Sequence, residues 1–522
     1  MRFVSVAFSF LLAFTPSLLI AQNQPNDGQT ANEVFLPQLL QENPKASIFY
    51  NALAATRLKD TLEQYLDPNY PETDYEWTLQ ALLDNSPMIH VSQTAVETDY
   101  IVMPQKREFK YTMFVVPDSV LAGNGIHNLD ELREYAKRVY PQGADLPDTD
   151  RASSLNKLLS YHILPFWLSY DQMNVSQPEI IKKRLYLDEF DVEDFYETLL
   201  PHSIMRISTP YNDEKALGIF INRKGTIKTG LSAEGVEISK TDNNICINGG
   251  YYFVNKLLLY DSQTRENTLN TRMRIMASTL SPDFINSGAR GRLNGDPSNG
   301  GNRRLDYMVY AFKPGFCKNF EWIEDQSKFY VRYRNAYFGT YYGDELSIQG
   351  EYDIILRLPP VPSDGLYEIR LWNNSMGGYS WNDRGTTLFY IQKEGNDFIP
   401  FSTPVNMNIN LNDSLVGAIA DNDVKYDNLT ASQREAAITA DDELLHRKGY
   451  LKAPDTYGSG MSLREDMNCY RKVISELYME ADKYYYLRMR QVDDAGATFA
   501  FSFIELVPYS VYSGENGPED KH

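Results

Sequence analysis

Hydrophobic positions along the chain change period roughly halfway. In the first half several segments repeat at helical spacing. Ile48, Phe49, Ala52, Leu53, Leu58, Leu62 and Tyr65 predict a helix over 46–67, closed by Pro68. Leu129, Leu132, Ala136 and Val139 predict a second, with Asn128 placed to cap it and Glu131 three residues on. Between them YTMFVV (111–116) is an apolar run stopped by Pro117-Asp118, a buried strand entering a turn. From about residue 203 the pattern alternates as strands do: 204–207, 217–221 and 236–238, then the long run YYFVNKLL (251–258) behind Asn248-Gly249-Gly250.

Beyond the polar stretch 261–270, where a domain boundary is expected, short strands predominate. They are predicted at 305–312, 329–333, 352–358, 366–372, 387–392, 484–490 and 501–507, with turn signals such as PPVP (359–362) and SDG (363–365) between them. One helix interrupts them: Thr430 and Gln433 form a capping box ahead of Ala436, Ala437, Ile438, Leu444 and Leu445, and Gly449 stands at the C-cap. The last residues, 512–522, are polar and expected to fray.

The N-terminus carries a different signal. Arg2 precedes an apolar run that ends in Ala21 and switches to Gln22-Asn23-Gln24. A positive start, an apolar core and a small residue before a polar switch describe a secretory signal peptide over 1–21, followed by a flexible lead-in over 22–34. Ser5, Ser9, Thr15, Pro16 and Ser17 interrupt the run, which disfavours a membrane-spanning helix. The expected location is therefore the periplasm, the outer membrane or the cell surface. Cys246, Cys317 and Cys469 are remote from the cleavage site, so no lipid-modified cysteine begins the mature chain. Three sparse cysteines make neither a disulfide framework nor a metal motif; buried free thiols are expected.

Composition narrows the partners. The 522 residues are 43% hydrophobic and 13% aromatic, enough for two packed domains. Acidic residues number 70 against 50 basic, a net charge of −20, which disfavours nucleic acid and anionic lipid as partners.

Four segments in order, SIFYNALAATRLKDTL (47–62), YTMFVVPDSVL (111–121), LNKLLSYHILP (155–165) and NGGYYFVNKLLL (248–259), resemble the fasciclin-like domain. The resemblance covers 35–262, and the family's Tyr-His pair falls on Tyr161-His162. It implies an α+β fasciclin-like β-wedge with flanking helices and a role in adhesion rather than chemistry. The mainly-β sandwich expected over 263–511, of jelly-roll type, completes a layout similar to envelope proteins of Gram-negative glycan-utilising bacteria. Two stretches depart from the family, 66–110 and the acidic, aromatic insertion 166–202 (containing DEFDVEDFYETLL), and could carry partner specificity or decorate the fold.

No catalytic constellation emerges. His162 reads as a core imidazole bonded to backbone, since no nucleophile elbow or reactive-cysteine context accompanies it. His90, His127, His202 and His446 lack ligand spacing, no loop matches a calcium motif, and no cofactor is implied. The carboxylate pairs Asp344-Glu345, Asp441-Asp442-Glu443 and Asp493-Asp494 read as solvated turns rather than a glycosidase dyad. GARGRLNGDPSNGGNRR (288–304) lacks a P-loop ending and reads as a loop whose arginines could meet an acidic partner. The candidate ligand-binding residues are aromatic: Tyr341 and Tyr342 in one Gly-containing segment, and Trp372, Tyr379 and Trp381 with Asp383 and Arg384 around another. Flat rings can carry a sugar face while polar neighbours take its hydroxyls. The competing reading packs the same rings into a sandwich core. The expectation is a non-catalytic binding or adhesion protein of the envelope, its partner a glycan or a matrix protein. The alternatives are a glycan-active enzyme and a scaffold subunit of a glycan-uptake complex.

Overall fold

The structure, a computed structural model, describes residues 31–70, 101–102, 104, 106–173, 189–212, 215–224, 235–289, 307–312, 315–322, 328–334, 344–349, 352–375, 384–454, 464–493, 498–515, 519 and 521. The chain is mixed α/β with several sheets. Residues 1–21, expected to be a signal peptide, lie outside the described residues, and no described helix is long and apolar enough to cross a membrane.

In the first half, Tyr111–Val115 pairs in parallel with Gly249–Val254, starting at Tyr111 opposite Gly249. Gly249 has φ +129°, and a Cβ there would lie 1.9 Å from the Tyr111 carbonyl oxygen, so only glycine permits this approach. The sheet runs on through Val236–Ser239, Phe220–Ile221 and Ile204–Asn212 to Glu189–Glu197. Its far end comes back to its beginning, where the Leu199 N–H donates to the Ile163 carbonyl at 2.8 Å, so the sheet nearly closes into a barrel. The acidic stretch read as an insertion is thus partly a strand, paired along its nine residues with Ile204–Asn212.

The helices fit their expectations with one correction. Leu129–Val139 is helical, with Asn128 Oδ1 accepting from the Glu131 N–H. The helix expected over 46–67 breaks into Ser47–Ala55 and Leu58–Leu62. Thr56 Oγ1 donates back to the Ala52 carbonyl, and Arg57 turns left-handed at φ +57°.

In the second half, three sheets share one core. Tyr367, Ile369 and Leu371 of Gly365–Asn374 pack in the same cluster as Ile354, Leu356, Phe389, Ile391, Leu487 and Met489 of the sheet opposite. The strand expected over 501–507 is two. Thr498–Phe501 pairs with Asp344–Gln349, then the chain passes at Ser502 into a different sheet as Phe503–Pro508.

The halves are stitched together. Ile101–Val102 pairs in parallel with Val309–Tyr310, and Phe195 and Ile204 of the first half join the second core. Arg357 Nη2 donates to Glu197 at 2.7 Å, with its guanidinium over the Tyr484 ring, which itself stacks on His202 at 4.0 Å.

Candidate functional site

The central features lie on the outer face of the sheet ordered Met273–Met276, Phe503–Pro508, Gly365–Asn374, Cys469–Met479, Tyr450–Lys452. Alternation sends Ile275, Ile504 and Ile369 inward, so Arg274, Glu505 and Arg370 point the other way. Such a face ordinarily meets water. Here the helix Ala431–Arg447 and the C-terminal segment cover it, leaving Arg370 and Glu505 with no exposed surface.

Glu505 accepts from Arg274 Nε at 2.8 Å and from Arg370 Nη1 and Arg471 Nη1, each at 3.4 Å. Burial alone would push its carboxyl up, but Arg471, Arg274, Arg272 and Arg370 hold it down at about 2. Glu519 lies beside it. Its carboxylate takes both arms of Arg370, at 2.7 and 2.9 Å, with Arg272 Nη1 at 3.1 Å and Arg471 Nη1 at 3.4 Å. These guanidinia, Arg370 foremost, hold it well below the usual carboxylate range against the cost of burial. Glu368 completes the group, accepting from Arg370 Nε at 2.6 Å and from His446 Nε2 at 2.8 Å. Burial lowers Arg471 to about 10 despite its two carboxylate neighbours.

Above this layer is a cavity of about 380 Å³, bounded by the helix, the strands and the C-terminal segment. A second ion network stiffens its wall. Lys452 Nζ reaches Asp421 at 2.8 Å and Asp442 at 2.9 Å, while Arg464 donates to the same two carboxylates. Burial weighs against Asp421, yet Arg464 and Lys452 hold it below its ordinary value. Arg447, Lys521, Thr439 and Glu443 also line the space. With Arg471 and Glu519 at its base, the cavity has a basic floor and wall and hydroxyl or carboxylate acceptors around them. The tail expected to fray is docked in its described part: Glu519 enters the arginine layer and Lys521 pairs with Glu435. Tyr512 Oη also donates to Glu476, and these long-range polar contacts are invisible in local sequence.

No protein-family model matches the chain, and no curated protein matches it. Among solved structures, a Paenibacillus xanthan lyase is similar at 9% identity and a TM-score of 0.20, over 58% of this chain. The match spans 20% of that protein's length.

The residues singled out from sequence fare differently. Trp372 is buried against Phe503, ring centroids 5.0 Å apart, in a small cluster with Met276, Ala453 and Cys469. It offers no face to a sugar, and the core reading holds for it. Arg384 is also buried, its Nε donating to the Asn374 carbonyl and its N–H to Asn408. Its guanidinium supports backbone instead of reaching a ligand. Tyr341, Tyr342, Tyr379, Trp381 and Asp383 lie outside the described residues, as does 290–304. Asp441 and Asp442 stand on a helix rather than a turn; Asp441 pairs with Lys425 and Tyr426. Asp493 accepts from the Thr386 N–H at 2.9 Å. The three cysteines are buried thiols, and Cys246 and Cys469 donate to the Gly249 carbonyl and to Asp466.

Tyr161 and His162 are structural. Tyr161 donates to the Ile204 carbonyl at 3.1 Å and accepts from Asn222. His162 Nδ1–H donates to the Leu158 carbonyl at 2.9 Å, and Nε2 accepts from the Leu258 N–H at 3.0 Å. Both ring nitrogens are committed, so neither can take a proton from a substrate. Burial lowers this imidazole to about 4. The unfolded chain, with His near 6.5, binds the proton first as pH falls, so stability drops from about pH 6.5 towards 4. We expect the His162 contribution to fall by about 2 kcal/mol between pH 7 and pH 5. Urea unfolding of wild type and His162→Asn at both pH values checks this; an identical pH dependence in the variant would assign the effect to another group.

Proposed function

We propose that the chain is an exported cell-envelope protein that captures an anionic glycan without transforming it, built as a fasciclin-like wedge and a jelly-roll-type sandwich. One observation supports this reading above others. The cavity presents Arg447, Lys452, Arg464 and Arg471 together, three of them immobilised by buried ion pairs. This arrangement suits an acidic sugar: Arg447 takes its anion, Lys452, Arg464 and Arg471, paired with Asp421, Asp442, Glu505 and Glu519, keep the wall rigid, and Thr439 and Glu443 take hydroxyls. The volume lies near the lower end of ordinary ligand sites, about 300–1,000 Å³, room for a sugar unit or two. The protein's overall charge of −20 makes attraction at this site local, so selectivity resides in the cavity rather than in a general field.

A glycan array followed by calorimetry with acidic and neutral oligosaccharides tests the reading. Acidic glycans should bind, and Arg447→Glu, on an exposed helix end, should weaken them at least about tenfold while leaving Tm unchanged. Trp381→Ala on the same array separates the cavity from an aromatic platform. Failure of every acidic glycan to bind, or equal binding by Arg447→Glu, sinks the reading. Turnover of a bound polysaccharide would favour the rival enzyme reading.

A further inference from the structure

Resting on that reading, we infer that the cavity is one end of a longer site: beside it a platform of Tyr478, Tyr509 and Leu366 takes neutral sugar units adjoining the acidic one. Tyr478 is 56% exposed, Tyr509 45% and Leu366 38%, and strand pairing gathers the three. Leu366 stands directly opposite Tyr478. Their neighbours Tyr367 and Met479 turn into the core, so this pair faces outward, on the side of the sheet that carries the cavity. On the other flank Tyr367 pairs with Pro508, which sets Tyr509 beside Leu366. The three span two strand spacings, about 10 Å, enough for more than one sugar ring.

Tyr512 joins the platform to the cavity. Its ring meets that of Tyr509 edge to face, centroids 5.4 Å apart. Its hydroxyl donates to Glu476, two residues before Tyr478 and on the same face of the strand. The same tyrosine lines the cavity. Burial and the Glu476 carboxylate push its pKa up, so the hydroxyl stays a protonated donor and the junction stays fixed. A sugar chain whose acidic unit meets Arg447 passes Tyr512 to reach Tyr509 and Tyr478.

The chemistry of the platform selects what it takes. Exposed tyrosine rings offer flat apolar faces to the C–H face of a pyranose, and their hydroxyls, with Glu476, meet the sugar hydroxyls. Tyr478 and Leu366 are borne on paired strands, so their positions are set before a ligand arrives and little ordering remains to be done on binding. Glu476 and Asp364 put exposed carboxylates at the margin, which disfavours a second acidic sugar there. The site as a whole therefore fits a glycan with acidic units spaced by neutral ones, and a uniformly acidic polymer fits it poorly. Continuity through Tyr512 is what assigns the apolar face to the glycan rather than to a second copy of the chain.

Calorimetry on the full mature chain compares glucuronate with glucuronate extended by one, two and three glucose units. Affinity should rise at least about tenfold from the monosaccharide to the extended probes, a result read on wild type alone. Tyr478→Ala should bring the extended probes back to the affinity of glucuronate, while Tyr478→Phe, which keeps the ring, should retain most of the gain. Arg447→Glu should weaken every probe. Extended probes that bind no better than glucuronate, or a gain that survives Tyr478→Ala, overturn the inference; if Arg447→Glu still weakens binding in that case, the capture reading survives alone. If wild type binds no acidic probe, both fall. Dimerisation in analytical ultracentrifugation that Tyr478→Ala abolishes would give the face to a second copy and likewise overturn the inference.

Discussion

Replacing Glu505 by Gln should destabilise the protein by about 3–5 kcal/mol at neutral pH, among the largest effects of any single polar substitution. Glu505 is fully buried and shared by Arg274, Arg370 and Arg471. Glutamine fits the space but removes the charge, leaving three buried guanidinia with too few counter-charges. Desolvation of those guanidinia then goes uncompensated, which costs more than the lost hydrogen bonds. The sign of the pH dependence follows from the carboxyl's depressed value of about 2. Its stabilisation is fully present above the unfolded-state value near 4.3 and is lost as pH falls from there towards 2. Acid titration of wild type should therefore show a loss across that window that Glu505→Gln lacks. A double change, Glu505→Leu with Arg274→Met, should cost less than Glu505→Leu alone, because both members of that ion pair are removed together. Denaturant unfolding measures all three, and a cost below about 1 kcal/mol for Glu505→Gln would mean that water reaches the layer.

The second large effect concerns backbone. Gly249→Ala should cost more than about 4 kcal/mol or abolish soluble expression. The added methyl would meet the Tyr111 carbonyl oxygen at 1.9 Å, its nitrogen at 2.7 Å and its carbonyl carbon at 2.9 Å. All three are main-chain atoms of the partner strand, which cannot swing aside as a side chain could. The φ of +129° adds strain for any L side chain. Gly395→Ala is the control: φ is +82° but nothing lies within 4 Å, so about 1–2 kcal/mol is expected. If the two variants melt together, the close approach at Gly249 is not limiting.

Much of the secondary structure was legible in the sequence, because period and punctuation agree there. The helix Leu129–Val139 combines a repeating apolar stripe with a capping Asn128, and Ala431–Arg447 has a reciprocal capping box at Thr430 and Gln433, with Gly449 at φ +79° after its end. What escaped was what tertiary context decides. Cys469–Met479 (CYRKVISELYM) mixes charged and apolar residues without clear alternation, because a bulge opposite Ile369/Arg370 shifts its pairing and its outward positions are covered. Glu189–Glu197 was hidden by its acidity. The charged layer was hidden more deeply. Arg370, Arg471 and Glu505 occupy the polar positions of amphipathic strands, which in an antiparallel sheet ordinarily face water. Arg272 and Glu519 meet across 247 positions of chain, a distance no motif spans. Trp372 shows the opposite error: turn residues beside a ring suggested exposure, while the strand's inner and outer faces were both covered.

The sheet that carries the arginine layer is ordered so that Phe503–Pro508 is an inner strand, between Met273–Met276 and Gly365–Asn374. A nascent chain leaving the ribosome therefore carries Met273–Met276 for more than two hundred residues before its partner strand is made, while Gly365–Asn374, which pairs with Cys469–Met479 first, keeps one edge open until then. Until that moment the half-built sheet has open edges able to pair with a neighbour, and chaperone holding during synthesis, not the stability of the finished fold, should govern yield.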